Sequence, residues 1–179
     1  SNLERSLYLA TQLRELDCRV LFVLNMADLA RERGIRIDAD KLSELLDLPV
    51  VFTVGNRNEG IDDLLKKAIQ LAECRVEIPR RRRVKYTKDI EAAIDRMRGK
   101  LADVVGDGPY NPRWTAIKLL ENDTVVRQRI ADAASENADE VIEAVAQERR
   151  TLQELYDDDP EIVMTDERYR FIAGIVKEV

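Results

Sequence analysis

Two short apolar runs constrain this chain more than anything else in it: "CRVLFVLN" over residues 18–25 and "PVVFTVG" over residues 49–55. Each is a continuous Val, Leu and Phe stretch without polar alternation, the pattern of a strand buried on both faces. Between them lie two helical patterns, "MADLARERG" closed by Gly34 and "DADKLSELLD" with Asp38 as a candidate cap. A connection that long, with helical content, is a crossover and not a hairpin, so the strands are expected to run parallel. An amphipathic helix precedes the first run, with Leu3, Leu7, Leu9, Leu13 and Leu16 near helical spacing and Ser1 or Asn2 as cap. Another follows the second run, with Ile61, Leu64, Leu65, Ala68 and Leu71 on one face. Two strands are too few for a complete doubly wound domain, so residues 1–75 read as the C-terminal part of a larger parallel sheet. An opening directly inside a helix, with no Met, also reads as a piece of something longer.

Residues 76–86, "VEIPRRRRVKY", read as a basic linker, with Pro79 interrupting helical pairing and Arg80 to Arg83 forming a charge run. From residue 87 to residue 179 the pattern is wholly helical, giving an α/β plus all-α chain. "KDIEAAIDRMRGKLADVV" is closed by the breaker cluster "GDGPYNP", and the next helix starts at Pro112. Asp123 and Thr165 are candidate caps for later helices. Trp114, Tyr169 and Phe171 are the expected large anchors of a bundle.

Composition removes several functions. There is no histidine, and Cys18 and Cys74 lack metal-type spacing, which argues against zinc sites and histidine acid–base chemistry. A formal net charge of -6 argues against general nucleic-acid binding. No apolar run approaches the ~18 residues of a membrane span, and no signal peptide is visible. The expected setting is a soluble polypeptide of a reducing compartment.

Chemistry points to the strand tips. In an open parallel sheet, ligands sit beyond the carboxyl ends of the strands. Asn25 ends the first run, and Gly55 with Asn56 ends the second, so these tips share one edge. Asp28 follows three residues after Asn25. Its carboxylate suits a planar group with two adjacent N–H donors, as in guanine N1–H and the 2-amino group, whereas adenine offers no such pair. The Asn25 amide is able to brace neighbouring loops, donating and accepting at once. Helix capping explains the same residues: Asn25 as cap of a helix beginning at Met26, with Asp28 in its first turn.

The segment from Ser1 to Val51, the "NEGIDDLL" stretch, "PRWTAIKLLEND" and the terminal "DERYRFIAGIVKEV" together resemble the cytosolic region of the ferrous iron transport protein B (FeoB) family. The resemblance implies the C-terminal part of a P-loop GTPase-like sheet domain, then a helical domain, then a polytopic membrane domain that moves ferrous iron. It implies that Asn25 and Asp28 are the guanine-recognising N-x-x-D, with Met26 where the family pattern has Lys. The following base-contact loop would be Gly55, Asn56 and Arg57, where many G proteins carry Ser-Ala-Lys, with the Asn56 backbone N–H offered to the base carbonyl. These departures imply modest nucleotide affinity.

The resemblance also implies GTP or GDP with magnesium in the complete protein, at the cytoplasmic face of the cell membrane. Partners implied are the rest of its own G domain, the membrane domain and guanine nucleotide. No G-x-x-x-x-G-K-[ST] or phosphate-reading D-x-x-G with such a loop is present, so the 179 residues alone are expected to be inactive and to bind GTP weakly. The unpaired edge of the first strand is expected to favour self-association. Two other readings stand beside this one: a G-protein relative whose helical extension and Arg80 to Arg83 run bind RNA, and a non-enzymatic helical interaction module.

Overall fold

The computed structural model describes residues 2–16, 18–73, 84–105, 111–132 and 137–179. Cys74, Pro79, the Arg80 to Arg83 run and most of the breaker cluster lie outside the described residues. Contacts divide the chain into two compact units, one of residues 1–84 with 170–179, the other of residues 85–169.

In the first unit, α1 (Asn2–Glu15) leads into β1 (Phe22–Leu24), α2 (Ala27–Glu32), α3 (Ala39–Leu46), β2 (Val50–Phe52), a 3-10 turn (Gly55–Arg57) and α4 (Ile61–Ala72). Among the described residues the sheet has two strands, and they pair in parallel with Phe22 opposite Val50, Val23 opposite Val51 and Leu24 opposite Phe52. Both apolar runs thus become the expected strands. Leu7 and Ala10 of α1, Leu42 and Leu46 of α3, Phe22 and Val50 form one buried core. Asp38 caps α3 as expected, its carboxylate accepting from the Lys41 N–H at 2.9 Å. Lys67 of α4 donates to the Val50 carbonyl at 3.0 Å, satisfying a polar group of β2 with a charged side chain.

Two apolar faces differ from expectation. Leu9 is 57% exposed, and in α4 Leu65 and Ile69 are each 55% exposed while Leu71 is buried. Helical period fixes which residues share a stripe, but what covers the stripe is a tertiary matter.

The second unit is a helical bundle of α5 (Lys88–Val105), α6 (Pro112–Leu120), α7 (Thr124–Ala131), α8 (Ala138–Tyr156) and the first half of α9 (Pro160–Glu178). Ile90, Ile94, Met97 and Leu101 form the buried seam of α5, packing on α6 and α8. Asn111 caps α6 through the Trp114 N–H at 2.7 Å, and Asp123 caps α7 through the Val125 and Val126 N–H groups.

The C-terminal helix departs from expectation. Thr165 is not a cap: α9 begins a turn earlier at Pro160, behind Asp159, whose carboxylate accepts from the Glu161 N–H at 2.8 Å. Tyr169 is 49% exposed, so it is no anchor; the buried stripe of α9 runs through Met164, Arg168, Ile172 and Ile175 instead. Ile172 and Ile175 join the core of the first unit, although the helical pattern groups them with the bundle.

Arg168 is 1% exposed, ion-paired to Glu121 of α6, with its guanidinium 5.5 Å from the Tyr86 ring centroid. Lys118 holds the other Glu121 oxygen at 2.8 Å. Nearby, Glu91 receives a bidentate pair from Arg113 at 2.7 and 2.8 Å and the Tyr86 N–H at 3.0 Å. Burial alone would raise the Glu91 pKa, but the Arg113 and Tyr86 hydrogen bonds outweigh it and hold the carboxyl below its usual range.

Three outcomes follow from this packing. Ile172→Ala should cost about 2–5 kcal/mol by leaving a cavity, with hydrogen-exchange protection lost first in residues 2–73 and not in 85–169. Arg168→Met should cost up to about 3–5 kcal/mol in denaturant unfolding by leaving the buried Glu121 carboxylate with Lys118 alone, and adding Glu121→Leu should restore part of it. Glu91→Gln should lower the melting temperature at neutral pH. A depressed folded-state pKa stabilises above the unfolded value and loses that contribution as pH falls through the folded one, so the deficit should close in acid.

Candidate functional site

Asn25 follows β1 directly, and its side-chain oxygen is the junction of the strand tips. Oδ1 accepts from the Met26 N–H at 2.8 Å, the Gly55 N–H at 3.1 Å and the Thr53 hydroxyl at 3.2 Å. The backbone adds the Thr53 N–H to the Leu24 carbonyl at 3.0 Å and the Ala27 N–H to the Thr53 carbonyl at 3.2 Å. One carboxamide therefore holds the turn after β1 to the loop after β2. Asn25 is not the helix cap of α2; that position is Met26, with no side-chain cap bond.

Met26 is left-handed, at φ 61° and ψ 38°. A non-glycine residue there costs on the order of 1 kcal/mol, a strain met by the bonds that bracket it. The left-handed step lets the chain leave the strand and enter α2 at once. The Met26 side chain is 60% exposed, beside the strand tips.

Asp28 lies in the first turn of α2, with its side chain 17% exposed. Oδ1 accepts from the Leu29 N–H at 3.0 Å, and Oδ2 stands 3.7 Å from Nη2 of Arg57. The capping reading and the ligand reading thus share this carboxylate, with one oxygen on the helix and the other turned to the loop.

The loop itself closes tightly. Val54 and Glu59 exchange backbone hydrogen bonds at 3.0 and 3.3 Å, enclosing Gly55, Asn56 and Arg57, which are exposed. A Cβ added at Gly55 would lie 3.6 Å from Asn25 Oδ1, an ordinary contact, so a Ser fits this position. Gly60 is different: its φ is +77°, and a Cβ would fall 2.1 Å from the Phe52 carbonyl oxygen. That close approach folds the loop back against β2 and requires glycine.

Of the six residues singled out in the sequence, Asn25, Met26, Gly55, Asn56 and Arg57 lie on the two loops that follow the strands, and Asp28 lies in the first turn of α2. Asn25, Met26 and Gly55 are joined by direct hydrogen bonds, and Asp28 and Arg57 by the ion pair. Asn56 is exposed on the same loop. Sequence reasoning missed Thr53 and Gly60. The only signal for Thr53 was a hydroxyl inside an otherwise apolar run; for Gly60 it was a glycine directly before a helix.

Comparison with known proteins covers both halves. A family model described as FeoB cytosolic helical domain matches residues 86–179, and one described as Ferrous iron transport protein B matches residues 1–68. The Fe(2+) transporter FeoB of Salmonella typhi is 37% identical over 179 residues, covering 98% of this chain and 21% of its own length. A Fe(2+) transport protein A/Fe(2+) transporter FeoB fusion protein of Porphyromonas gingivalis is 34% identical over 183 residues, covering 99% and 21%. Among solved structures, NFeoB from S. thermophilus bound to GDP·AlF4− and K+ superposes with a TM-score of 0.79 at 34% identity, covering 97% of this chain and 64% of that one. The mGMPPNP-bound form gives 0.77 at 34% identity, covering 98% and 62%. The chain therefore spans about a fifth of the length of these curated relatives and under two thirds of these solved chains. Matched in order across both halves, it belongs to the family of ferrous iron transport protein B, FeoB.

Proposed function

We propose that the loops after β1 and β2 form the guanine-recognition end of a GTPase domain in a GTP-regulated ferrous iron transporter. Asp28 accepts from N1–H and the 2-amino group of the base, and the exposed Met26 stem covers one of its faces. Asn25 holds the two loops in register, and Gly55, Asn56 and Arg57 border the base edge. The observation that carries this reading is the Asn25 oxygen, bonded at once to Met26, Thr53 and Gly55, which places Asp28 and the second loop at one sheet edge. Relatives solved with GDP·AlF4− or mGMPPNP support it.

The domain assignment belongs to the same proposal: residues 1–75 as the C-terminal part of the G domain, 76–86 as a linker, and the helices from 87 onward as the domain that couples nucleotide state to a membrane pore. The last ten residues belong to the first unit. The residues here fit the base and do not fit phosphates or magnesium. The sequence has no G-x-x-x-x-G-K-[ST], and among the described residues no group of three His, Cys, Asp or Glu is placed to hold a metal. No helix of the described residues is long and apolar enough to cross a membrane. The partners proposed, on the family's pattern, are the remainder of the G domain and a polytopic membrane domain. Exposed Leu9, Val23, Leu65 and Ile69 give the first unit apolar surface for further structure, and for self-association when that structure is absent.

Asp28→Ala in the full-length protein should weaken GTP and GDP binding by about 2–4 kcal/mol and relax discrimination against xanthosine triphosphate. Titration with both nucleotides, with melting as the control, checks this. Unchanged affinity for both, with only a small stability loss, would leave Asp28 a helix-capping residue.

A further inference from the structure

We propose that Arg57 is an internal stand-in for guanine: with no base bound, its guanidinium occupies the carboxylate that reads the base, and the nucleotide must displace it. This rests on the assignment of Asp28 to base recognition. Arg57 Nη2 stands 3.7 Å from Asp28 Oδ2, an ion pair short of a formed hydrogen bond, while Oδ1 is held by the Leu29 N–H. The Asp28 side chain is only 17% exposed, so its free oxygen gains from a cationic donor when no ligand supplies one.

The chemistry of the two donors is the same. N1–H, C2 and the 2-amino group of guanine make a guanidine fragment, with two N–H bonds on nitrogens sharing one carbon. The arginine fork has the same fragment, with a positive charge added. A carboxylate built to accept one is built to accept the other.

The placement makes the exchange local. Gly55 is tied to Asn25, and Val54 to Glu59, so the backbone that carries Arg57 is fixed beside the site. The Arg57 side chain is 58% exposed and leaves the carboxylate by rotation into solvent. Exposed pairs of this kind are worth up to about 1 kcal/mol, so the stand-in lowers affinity by up to about fivefold and does not close the site.

A double-mutant cycle in the full-length protein tests this, using GDP on the native Asp28 background and xanthosine diphosphate on an Asp28→Asn background. Arg57→Gln should tighten GDP binding to the protein with native Asp28 about two- to fivefold relative to its effect on xanthosine diphosphate binding to the Asp28→Asn protein. Weaker GDP binding by Arg57→Gln would make Arg57 a contact of the bound base and overturn the proposal. Equal tightening in both backgrounds would overturn it too, since the effect would not pass through Asp28. If Asp28→Asn by itself leaves the preference for GDP over xanthosine diphosphate intact, the base-reading assignment fails and the stand-in falls with it.

Discussion

The candidate site depends on a single side-chain oxygen. Asn25 Oδ1 collects a backbone N–H from its own loop, a backbone N–H from the second loop and a hydroxyl from the buried Thr53. A parallel pair three residues long cannot fix the loops at its end through ladder bonds alone. The carboxamide supplies the missing cross-link, and other features follow from it. The left-handed Met26 turns the chain from that bond directly into α2, and Gly60 must lack a side chain for the second loop to close over the Phe52 carbonyl. An aspartate at position 25 would keep acceptors for these three donors but place a charge at the tip of the sheet, whereas a leucine would strand the donors outright.

Local signals were legible in the sequence where the period and the cap agreed. Both strands, the caps at Asp38 and Asp123, and the polar tips at Asn25 and Asp28 could be read directly, because an apolar run ended by turn chemistry leaves few alternatives. The failures have a shared physical origin in contacts between distant residues. Tyr169 looked like the apolar member of its turn, yet the stripe of α9 passes through Arg168, one position away and roughly 100° around the helix. No periodicity rule places a cation in a core; partners far off in sequence, among them Glu121 just after α6 and the Tyr86 ring, make that burial tolerable. In the same way Asp159 was a better start than Thr165 because Pro160 follows it, and the length of α9 then carries Ile172 and Ile175 into a different core from Met164.

The division of the chain has a functional counterpart in how its polar groups are spent. Around the strand tips the side chains of Asn25 and Asp28 reach across to the loop after β2, at or near the surface. In the helical unit polar pairs knit elements together: Arg113 to Glu91, Arg149 to Asp159, Arg96 to Glu148. The first set lies beside exposed loop residues, and the second joins one helix to another.

Two arginine–carboxylate pairs make the contrast quantitative. Arg168 and Glu121 are 1% and 8% exposed, so separating them would leave both charges away from water with weaker compensation. Arg57 and Asp28 are 58% and 17% exposed, so the arginine is resolvated the moment it leaves, and only the carboxylate needs a replacement. Identical chemistry thus serves as a fixed strut in one unit and as an exchangeable contact in the other, with solvent access to the cation deciding which. A ligand competes for a carboxylate only where the protein's own donor has somewhere better to go. Among these two pairs that condition is met at Asp28, the carboxylate proposed to read the base.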